Sequence, residues 1–418
     1  MRAAIGNASR VGLVTALLPP SVGGTEILVW RLFQDLGHLA VVSGAPAGAP
    51  AAPSELYSPL RAPTLALAYP RLRGYRYGLA PLLGAYSTAW LAARLGPAVR
   101  FLAAQKVEHI ISIPHHGPFA LLGLMAARRL GLPHTFYILD AWEEASTGPL
   151  ERRLIQLGLR LAGRMPDSRV AAVSPALAAH YGAAYGFRDR VWIPNPAPLP
   201  EELPSDEVKP QPHVLFSGGI KPFNLDAIRC VIRALPHCRV AQKIVISGPS
   251  SGFADTLRAH GELHDRVEFT MGSRTDVAVA QRRAAVLVVA TNVDDRSQTS
   301  VGYLPGRLPE YVAADRPVLL VGPSQSDASR AVRHWHLGRT TESRDEKELA
   351  AILDGLTAES LGGASLAARP FRDRFLEVFS RQEARRRLLG GPPDALSDEA
   401  AKLASEFETI SRPERAAA

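Results

Sequence analysis

Arg307 and Glu310 lie three residues apart in the stretch SVGYLPGRLPEYVAADRPVLL, which covers residues 300–320. Three residues make about one helical turn, so both side chains would share a helix face and could hold one ligand from the same side. A turn-rich approach with two glycines and a proline would place this helix after the strand predicted at 285–290. Open α/β sheets bind ligands there, and a helix N-terminus offers N–H groups to phosphate. The pattern predicts a nucleotide site, and the alternative is a surface ion pair on an ordinary helix.

A glycine pair follows the first predicted strand. Gly23 and Gly24 lie between the strand predicted at 11–18 and a helix that begins near residue 25. Paired glycines at such a junction let a ligand approach the backbone N–H groups, which side chains would block. No third glycine follows at the spacing of a dinucleotide fingerprint, and no acid clearly ends the second strand. These residues therefore predict a ligand-binding loop and disfavour a nicotinamide enzyme.

Two adjacent histidines follow a later predicted strand. His115 and His116 come after the strand at 107–113, and the carboxyl ends of parallel strands face the ligand cleft. They are candidates for catalysis or acceptor binding, and the alternative is a structural role. No spacing of His, Asp and Glu predicts a metal cage, and no Gly-Xaa-Ser-Xaa-Gly elbow predicts acyl chemistry. We therefore expect no metal.

The length and composition of the chain predict a globular protein of two domains. It has 418 residues, of which 46% are hydrophobic, enough for two cores. No apolar run reaches the roughly 18 residues of a membrane span. The apolar stretch 11–18 is followed by two prolines rather than by a cleavage site. Cys230 and Cys238 are the only cysteines, too few for a disulfide framework, so we expect a cytoplasmic protein.

Positive charge is concentrated in the first half of the chain. Residues 1–200 contain 19 Lys and Arg against 10 Asp and Glu (+9), whereas residues 201–418 contain 29 against 30 (−1). This asymmetry predicts that the first half faces a membrane surface or a phosphate-bearing acceptor. The stretch YPRLRGYRY mixes Arg71, Arg73 and Arg76 with tyrosines, which suits a lipid headgroup interface; the alternative is a solvated loop. Nucleic acid is disfavoured, because no recognition motif accompanies the charge.

Strands and helices alternate on both sides of a proline-rich segment. The alternation over residues 1–200 implies a parallel sheet with crossover helices. The segment IPNPAPLPEELPSDEVKPQ, residues 193–211, shows no periodicity and is the predicted linker. The alternation then resumes, with strands predicted at 214–216, 243–247, 267–269, 285–290 and 317–321. The sequence therefore predicts an α/β fold with two Rossmann-like domains.

Short motifs along the chain form an ordered set. They are PPSVGGTE, GHLAVVSG, YILDAWEE, AAVSPALAAHY, VWIPNPAP, VLFSGGI, IVISGP, VEFTMGS and GRLPEYVAADRPVL, and they fall within residues 11–385. In this order they resemble the retaining glycosyltransferases of the GT-B fold, in the large family-4-like group. The resemblance implies two Rossmann-like domains that face each other across a cleft. It also implies transfer of a sugar from a nucleotide-diphosphate sugar, which is the donor substrate, without a cofactor.

The resemblance assigns a donor role to matching residues of the second half. Glu310 falls on the carboxylate that holds the ribose hydroxyls of the sugar nucleotide, and Arg307 falls on a basic position associated with the donor pyrophosphate. Lys221, which follows Gly218 and Gly219, is a second candidate for the phosphates, and the alternative is a solvated lysine. Charge builds on the diphosphate as the leaving group departs, and fixed cationic groups can stabilise it without a metal.

The resemblance assigns the acceptor to the first half. Gly23 and Gly24 match the loop that reaches toward the donor phosphates and the acceptor. Asp140 matches the acid before the tryptophan of its motif, which would border the acceptor; the alternative is a helix N-cap. The predicted acceptor side also includes His115, His116 and Arg73.

Three positions depart from the family pattern. A second glutamate usually lies eight positions before the ribose-binding one, and that position is Gly302. An arginine that often follows the strand glycine is replaced by Gly219, and the histidine that often precedes the acceptor-side aspartate is Leu139. These departures keep two alternatives open. One is a nucleotide-sugar epimerase of the same fold, and the other is an inactive protein that binds the sugar nucleotide.

The predicted domain boundaries follow from these assignments. Residues 1–200 form the acceptor-binding domain and residues 201–369 the nucleotide-sugar domain. Residues 370–390 have apolar positions at helical spacing and resemble the family's closing helix, which packs back on the N-terminal domain. Residues 391–418 are expected to be weakly ordered apart from one alanine-rich stretch. The expected acceptor is a glycan, a lipid-linked glycan or a small molecule, and the alternative to a freely cytoplasmic protein is a peripheral one at the inner face of the membrane.

Overall fold

The computed structural model divides the chain into two compact units. It describes residues 10–18, 24–44, 60–67, 80–140, 149–204, 208–248, 252–295, 297–363, 371–390 and 396–411. The first unit holds the chain up to Pro194 and takes it up again at Arg381, and the second holds Asn195–Ser380 and Leu396–Ser411. The division at 194 and 195 lies inside the proline-rich segment predicted as the linker, slightly before the predicted boundary at 200 and 201.

The first unit is built on a seven-stranded parallel sheet of the order β3-β2-β1-β4-β5-β6-β7. Its strands are β1 Val11–Thr15, β2 Leu39–Ser43, β3 Thr64–Ala66, β4 His109–Ser112, β5 His134–Ile138, β6 Ser168–Ala172 and β7 Asp189–Trp192. Its helices up to residue 194 are α1 Gly24–Phe33, α2 Ala80–Ala104, α3 Gly117–Leu130, α4 Pro149–Gly163 and α5 Pro175–Tyr185.

Local sequence explains how these elements begin and end. The central strands β1, β2, β4 and β5 are buried at every residue, as expected for a parallel sheet that is covered on both faces. Helix α3 starts with Pro118 in its first turn and stops at Gly131, whose φ of 65° is left-handed. Ser174 caps α5 by accepting a hydrogen bond from the Leu177 N–H at 3.2 Å. The order of the sheet reverses between β1 and β4, and ligands of open α/β sheets bind at such a reversal.

The second unit is built on a six-stranded parallel sheet of the order β10-β9-β8-β11-β12-β13. Its strands are β8 Gln211–Ser217, β9 Lys243–Ser247, β10 Val267–Thr270, β11 Ala284–Ala290, β12 Val318–Val321 and β13 Gly338–Thr341. Its helices are α6 Pro222–Ala234, α7 Phe253–Ala259, α8 Arg274–Arg283, α9 Gln298–Val301, α10 Arg307–Ala313, α11 Asp327–His334 and α12 Glu346–Leu361, with 3-10 turns at Pro200–Glu202 and Leu235–His237. The order reverses between β8 and β11.

The segment predicted as a single closing helix forms two helices. They are α13 Arg372–Val378 and α14 Arg381–Leu389. Helix α13 belongs to the second unit, where the Ala197 N–H donates to the Phe379 carbonyl just beyond it at 2.7 Å. Helix α14 belongs to the first unit, where Arg381 pairs with Asp35 at 2.9 Å and Arg385 donates to the Leu32 carbonyl at 2.5 Å. Only the second part of the segment therefore packs on the N-terminal unit.

The alanine-rich stretch of the tail forms a helix. Residues 398–410 form helix α15 Asp398–Ile410, capped by Ser397. The helix buries Phe407 completely, with its ring centroid 4.7 Å from that of Trp335. The alanine-rich stretch, which the sequence pattern set apart from the rest of the tail, therefore carries an aromatic anchor that fills a core position. Residues 391–395 and 412–418 lie outside the described part of the chain.

Among the helices of the described ranges, none has both the length and the apolar character needed to cross a bilayer.

Candidate functional site

The turn after β8 brings backbone and guanidinium groups close together. Gly218 has a φ of 120°, and its N–H donates to the Ser247 carbonyl at 2.7 Å. A Cβ atom at Gly218 would lie 2.7 Å from Arg307 Nη2. Gly248, with a φ of 143°, would likewise place a Cβ atom 2.8 Å from the Gly218 carbonyl oxygen. Glycine is therefore required at both positions by conformation and by space.

Arg307 is the first residue of α10, and one nitrogen of its guanidinium group has no hydrogen-bond partner in the described part of the chain. Its Cζ atom lies 4.6 Å from the centroid of the Phe216 ring, in a cation–π contact. Its Nη1 atom is buried and has no hydrogen-bond partner among the described residues. A buried, unpaired donor on a charged group costs free energy of folding. An anion bound beside Gly218 would offset that cost.

Glu310 is held in place by two side chains of α8. The residue is 7% exposed and forms an ion pair with Arg274. Gln281 Nε2 lies 3.5 Å from the second carboxylate oxygen and also donates to Ser217 Oγ at 3.2 Å. The sequence pattern drew attention to Glu310 but not to Arg274 or Gln281. Both come from about 30 positions earlier in the chain, beyond the range of a local motif.

Tyr311, in the second half of α10, links this helix to the sheet. Its hydroxyl oxygen accepts a hydrogen bond from the Ser217 N–H at 3.1 Å, lies 3.1 Å from Ser217 Oγ and donates to the Val288 carbonyl at 3.3 Å. These contacts join β8, β11 and α10. Because Arg307 and Glu310 lie four residues and one residue before Tyr311, the anchor sets the position of both charged side chains.

Lys221 caps the helix that follows the glycine turn. Its N–H donates to Asn224 Oδ1 at 2.8 Å, and Asn224 Nδ2 donates back to the Gly219 carbonyl at 3.2 Å. The Lys221 side chain is exposed, and its Cε atom would lie 3.6 Å from a Cβ atom on Gly219. The residue thus lies at the N-terminus of α6, where the helix dipole also favours an anion.

A buried asparagine holds the loop that precedes α10. Asn195 donates from Nδ2 to the Leu304 carbonyl at 3.0 Å. The loop begins at Gly302, a buried glycine where the resembled family has a glutamate. Tyr303 follows it, with its ring centroid 5.7 Å from that of Phe223. The structural role of Asn195 in the motif VWIPNPAP could not be read from the sequence, because its partner lies more than 100 residues away.

The first unit places its candidates after three neighbouring strands. Gly24 begins α1 after β1, His115 and His116 follow β4, and Asp140 follows β5. The strands β1, β4 and β5 are adjacent in the sheet and parallel, so these residues lie at one edge, beside the reversal of strand order. A Cβ atom at Gly24 would meet no atom of the described residues within 4 Å. Gly23 and Arg73 lie outside the described residues.

Glu151 joins the histidine pair and was missed by the sequence pattern. Its Oε2 atom accepts a hydrogen bond from the Gly117 N–H at 2.6 Å, and its Oε1 atom lies 3.9 Å from His116 Nδ1. The carboxylate therefore occupies the N-terminus of α3, where the dipole favours negative charge. The His115 and His116 rings meet edge to face at 4.9 Å. Glu151 belongs to α4 and lies 34 residues after Gly117 in the sequence, so no local motif links it to the histidine pair.

Asp140 follows β5, and two features of its environment act on its pKa in opposite directions. Burial of its carboxyl group within the surrounding protein raises the pKa of Asp140 to about 7. The residue nevertheless has an exposed surface, where water stabilises the charged carboxylate and reduces this rise. Because its pKa is raised, the Asp140 carboxyl group can hold or accept a proton at a pH closer to neutral than an ordinary aspartate can.

Metal-ligating side chains do not converge in the ranges that the structure describes. Within those ranges, no group of three or more His, Cys, Asp or Glu side chains is placed to hold a metal ion. The thiols of Cys230 and Cys238 are both buried and unbonded to each other. The positive groups that the protein supplies to the site in the second unit include Arg307, Lys221 and the N-terminus of α6.

Comparison with known proteins identifies the fold. No protein-family model matches the sequence, and no curated protein matches it. Among solved structures, Anabaena HepE in complex with UDP superposes with a TM-score of 0.60 at 15% identity, over 95% of this chain and 100% of HepE. WaaG, a glycosyltransferase of lipopolysaccharide biosynthesis, superposes with a TM-score of 0.56 at 13% identity, over 96% and 99%. The chain has the GT-B fold.

A plant glycosyltransferase shares the same GT-B fold. Phytolacca americana UGT2, in complex with UDP-2-fluoro-glucose and pterostilbene, superposes with a TM-score of 0.54 at 14% identity, over 96% of this chain and 100% of UGT2. The prediction of two Rossmann-like α/β domains is thus confirmed by both sheets and by these neighbours. At such low identities the likeness is one of fold. The family-4-like subgroup and the retaining reaction remain predictions.

Proposed function

We propose that the protein is a glycosyltransferase that moves a sugar from a nucleotide-diphosphate donor to a glycan, lipid-linked or small-molecule acceptor, with retention and without a metal. One observation carries the proposal. Arg307 Nη1 is buried without a partner directly above the glycine turn that follows β8. This is the switch point of the second sheet, the place where open α/β sheets bind their ligands. HepE, which shares the GT-B fold, has been solved in complex with UDP and with UDP-glucose.

In this proposal the second unit binds the donor. Arg307 and Lys221 flank the turn at Gly218 and Gly219 and bind the diphosphate from two sides, together with the N-terminus of α6. Negative charge grows on the diphosphate as the bond to the sugar breaks, and cationic groups that are already in place stabilise it without reorganisation. The fork of the Arg307 guanidinium matches two phosphate oxygens. Arg307 and Lys221 therefore assist departure of the leaving group.

Glu310 binds the nucleoside in this proposal. Its carboxylate accepts hydrogen bonds from ribose hydroxyls with the lone pairs that Arg274 and Gln281 leave open, since an ionised carboxylate has about four acceptor positions. Arg274 keeps the buried carboxylate charged and oriented. Glu310 then contributes to binding rather than to proton transfer.

The first unit supplies the acceptor side in this proposal. Gly24 leaves open space at the start of α1 for a ligand to approach the backbone, and Gly23 would extend that loop. Asp140, His115 and His116 lie at the same edge of the sheet and are the groups available to orient an acceptor hydroxyl. The reaction belongs in the cytoplasm, where sugar nucleotides are substrates and the two buried thiols stay reduced.

A panel of sugar nucleotides tests the proposal. The melting temperature of the purified protein is measured with UDP, GDP and ADP sugars and with the matching free sugars, because a ligand that binds the native state stabilises it by mass action. The best donor is then incubated with radiolabelled sugar and with candidate acceptors. We expect one nucleotide class to raise the melting temperature, and Arg307→Ala to remove that rise while the control Arg239→Gln, an exposed arginine of the same unit, keeps it.

The outcomes separate the rival functions. Transfer that needs an acceptor supports the transferase, and conversion of the donor sugar without an acceptor identifies an epimerase. Binding without turnover identifies an inactive binding protein, which the glycine at position 302 would explain by the loss of a carboxylate beside the donor sugar. If no sugar nucleotide changes the melting temperature, or if Arg307→Ala leaves the rise intact, the site is wrongly placed.

A further inference from the structure

Helix α4 presents leucines and arginines together on its solvent face. The helix has 15 residues, and its Leu157 and Leu161, one turn apart, are 45% and 39% exposed. Four arginines are exposed along α4 and at its end: Arg152, Arg153, Arg160 and Arg164. The single acid of the helix, Glu151, is buried and caps α3 through the Gly117 N–H. The exposed surface of α4 is therefore apolar and cationic, without a compensating negative charge of its own.

Helix α3 continues this surface. The two helices run side by side, since a Cβ atom on Gly158 would lie 3.6 Å from Leu121 Cδ2 and one on Gly117 would touch Leu154. One further turn along both helices brings Met125, 36% exposed, level with Leu161. Arg128 and Arg129 are exposed at the end of α3, and that helix contains no acid. We call the exposed face of these two helices, with its three apolar side chains and six arginines, the α3–α4 face.

Within the described ranges, the arginines of the α3–α4 face lack a bonded partner. None of the six guanidinium groups makes an ion pair or hydrogen bond to another residue in the ranges described. In the second unit, by contrast, exposed arginines such as Arg258 and Arg344 are paired with nearby aspartates. Charges left uncompensated on one face repel each other, and they are retained at little cost where an anionic partner covers them.

We propose that the α3–α4 face is a docking surface for a bilayer that contains anionic lipids. Leucine and methionine side chains enter the boundary between headgroups and acyl chains, while the surrounding arginines reach lipid phosphates, which is how amphipathic helices lie in a membrane interface. Two parallel helices offer a flat surface that suits a membrane plane. The surface is distinct from the tyrosine-rich stretch around Arg73, and it does not rest on the proposed sugar transfer, because it would hold the protein on lipid whatever reaction it performs.

Vesicle co-sedimentation tests the proposal with the full chain. The probes are phosphatidylcholine vesicles with and without roughly a third of phosphatidylglycerol. The test variant replaces Arg153, Arg160 and Arg164 with Gln, and its matched control replaces Arg239, Arg339 and Lys347 of the second unit with Gln, so both lose three exposed positive charges. A second variant, Leu157→Ser with Leu161→Ser, removes the apolar part and keeps the charge. All substituted side chains are exposed, so the melting temperatures should stay close to that of the wild type.

We expect wild type and control to bind the anionic vesicles, less at high salt, and not the neutral ones. Each arginine at an anionic surface contributes about fivefold to binding, so the test variant should bind on the order of a hundredfold more weakly. The double leucine variant should bind more weakly at high salt, where the apolar contribution dominates. Absence of wild-type binding to anionic vesicles overturns the proposal. So does normal binding by the test variant, particularly if a variant with Arg71, Arg73 and Arg76 changed to Ala loses binding instead.

Discussion

The two units differ in whether the charged side chains discussed above are buried and paired or exposed. In the second unit, Glu310 is buried and paired with Arg274, and Arg307 lies on Phe216 above Gly218. In the first unit, the arginines of the α3–α4 face are exposed and have no partner among the described residues. Groups fixed by their neighbours suit a small, highly charged ligand, because they need no reorganisation when it binds. Groups spread over a surface suit a large partner without a defined shape.

The first unit also buries histidines at the starts of two of its strands. At the starts of β4 and β5, His109 Nε2 lies 2.7 Å from Thr135 Oγ1, and His134 Nε2 lies 2.9 Å from Ser112 Oγ. Burial, with a contribution from the charge of Arg169, lowers the pKa of His109 to about 3, and burial lowers the pKa of His134 to about 3. The first unit thus holds two neutral histidines at the edge of its sheet that lies opposite its candidate site.

Acid should destabilise the first unit through these histidines, and this is the largest effect we expect. Both folded pKa values lie below the ordinary 6.5, so the unfolded chain binds protons first and stability is lost as the pH falls from about 6.5 toward about 3. The loss should approach about 1.4 kcal/mol per pH unit for each histidine. Urea unfolding of wild type and His134→Gln at pH 7 and pH 5 measures it. The deficit of the variant should shrink at pH 5, and a deficit of equal size at both values would contradict the burial of a neutral His134.

Removing the guanidinium of the second unit should have the next largest effect. Arg307→Ala should lower turnover about a hundred- to a thousandfold, as loss of a fixed donor to a developing anion does. Arg307→Lys keeps the charge but loses the fork, so it should recover only part of the rate. Steady-state kinetics with the best donor measure both variants, with Arg239→Gln as the control for charge. Equal rates for Arg307→Ala and the control would mean that the buried nitrogen serves packing on Phe216 alone.

Glu310→Gln should weaken donor binding more than turnover. The neutral amide loses charge-assisted hydrogen bonds worth roughly 1.5–3 kcal/mol, or about tenfold to a hundredfold in affinity. It also loses the ion pair to Arg274, so the melting temperature of the variant without ligand must be measured beside the affinity. Calorimetric titration of the donor gives the affinity directly. A variant that melts lower but binds the donor as tightly as wild type would assign Glu310 to the fold and not to the nucleoside.

Gly24→Val should separate binding from folding in the first unit. A Cβ atom there meets nothing within 4 Å, so the substitution should change the melting temperature little, whereas a branched side chain would obstruct a ligand that approaches the loop. We expect transfer to fall about tenfold, as a loss of roughly 1.4 kcal/mol of positioning would produce. Gly37→Val is the control, because that glycine also has open space around it and lies away from the candidate edge. Undiminished turnover by a well-folded Gly24→Val protein would remove the glycine loop from the active site.

The sequence predicted the fold well because the alternation of strands and helices and the short motifs both recur along the chain. Alternation of strands and helices placed Val214, Ile244 and Val286 in strands of a parallel sheet, where the structure has them. Motif spacing also placed Arg307 and Glu310 on one helix, and the structure confirms that both belong to α10. What the sequence could not give were partners that are distant along the chain. Arg274, Gln281, Asn195 and Glu151 act on groups that only the folded sheet brings near them.

The sequence also could not show which exposed side chains lie together on one surface. The excess of positive charge in residues 1–200 was visible, but it drew attention to Arg71, Arg73 and Arg76, which lie outside the described residues. The α3–α4 face joins two stretches about 30 residues apart. In the sequence, α3 is an apolar helix that ends in two arginines and α4 is an amphipathic helix, so neither stretch alone indicates a shared surface. Only the packing of Gly158 beside Leu121 places the two sets of arginines on one side.

Chelation should have the smallest effect, and it tests whether the second unit neutralises the diphosphate by itself. Arg307, Lys221 and the N-terminus of α6 supply positive charge around the glycine turn, whereas the nearest acid of the set, Glu310, is already paired with Arg274. Because the proposal assigns the remaining lone pairs of Glu310 to the ribose, a divalent ion would find no other carboxylate in this set, and initial rates at saturating donor should not change in EDTA. Rates that collapse in EDTA and return with magnesium or manganese would contradict the metal-free mechanism. They would also weaken the contrast between the units. The donor site would then need a metal ion to be complete, just as the α3–α4 face needs an anionic partner.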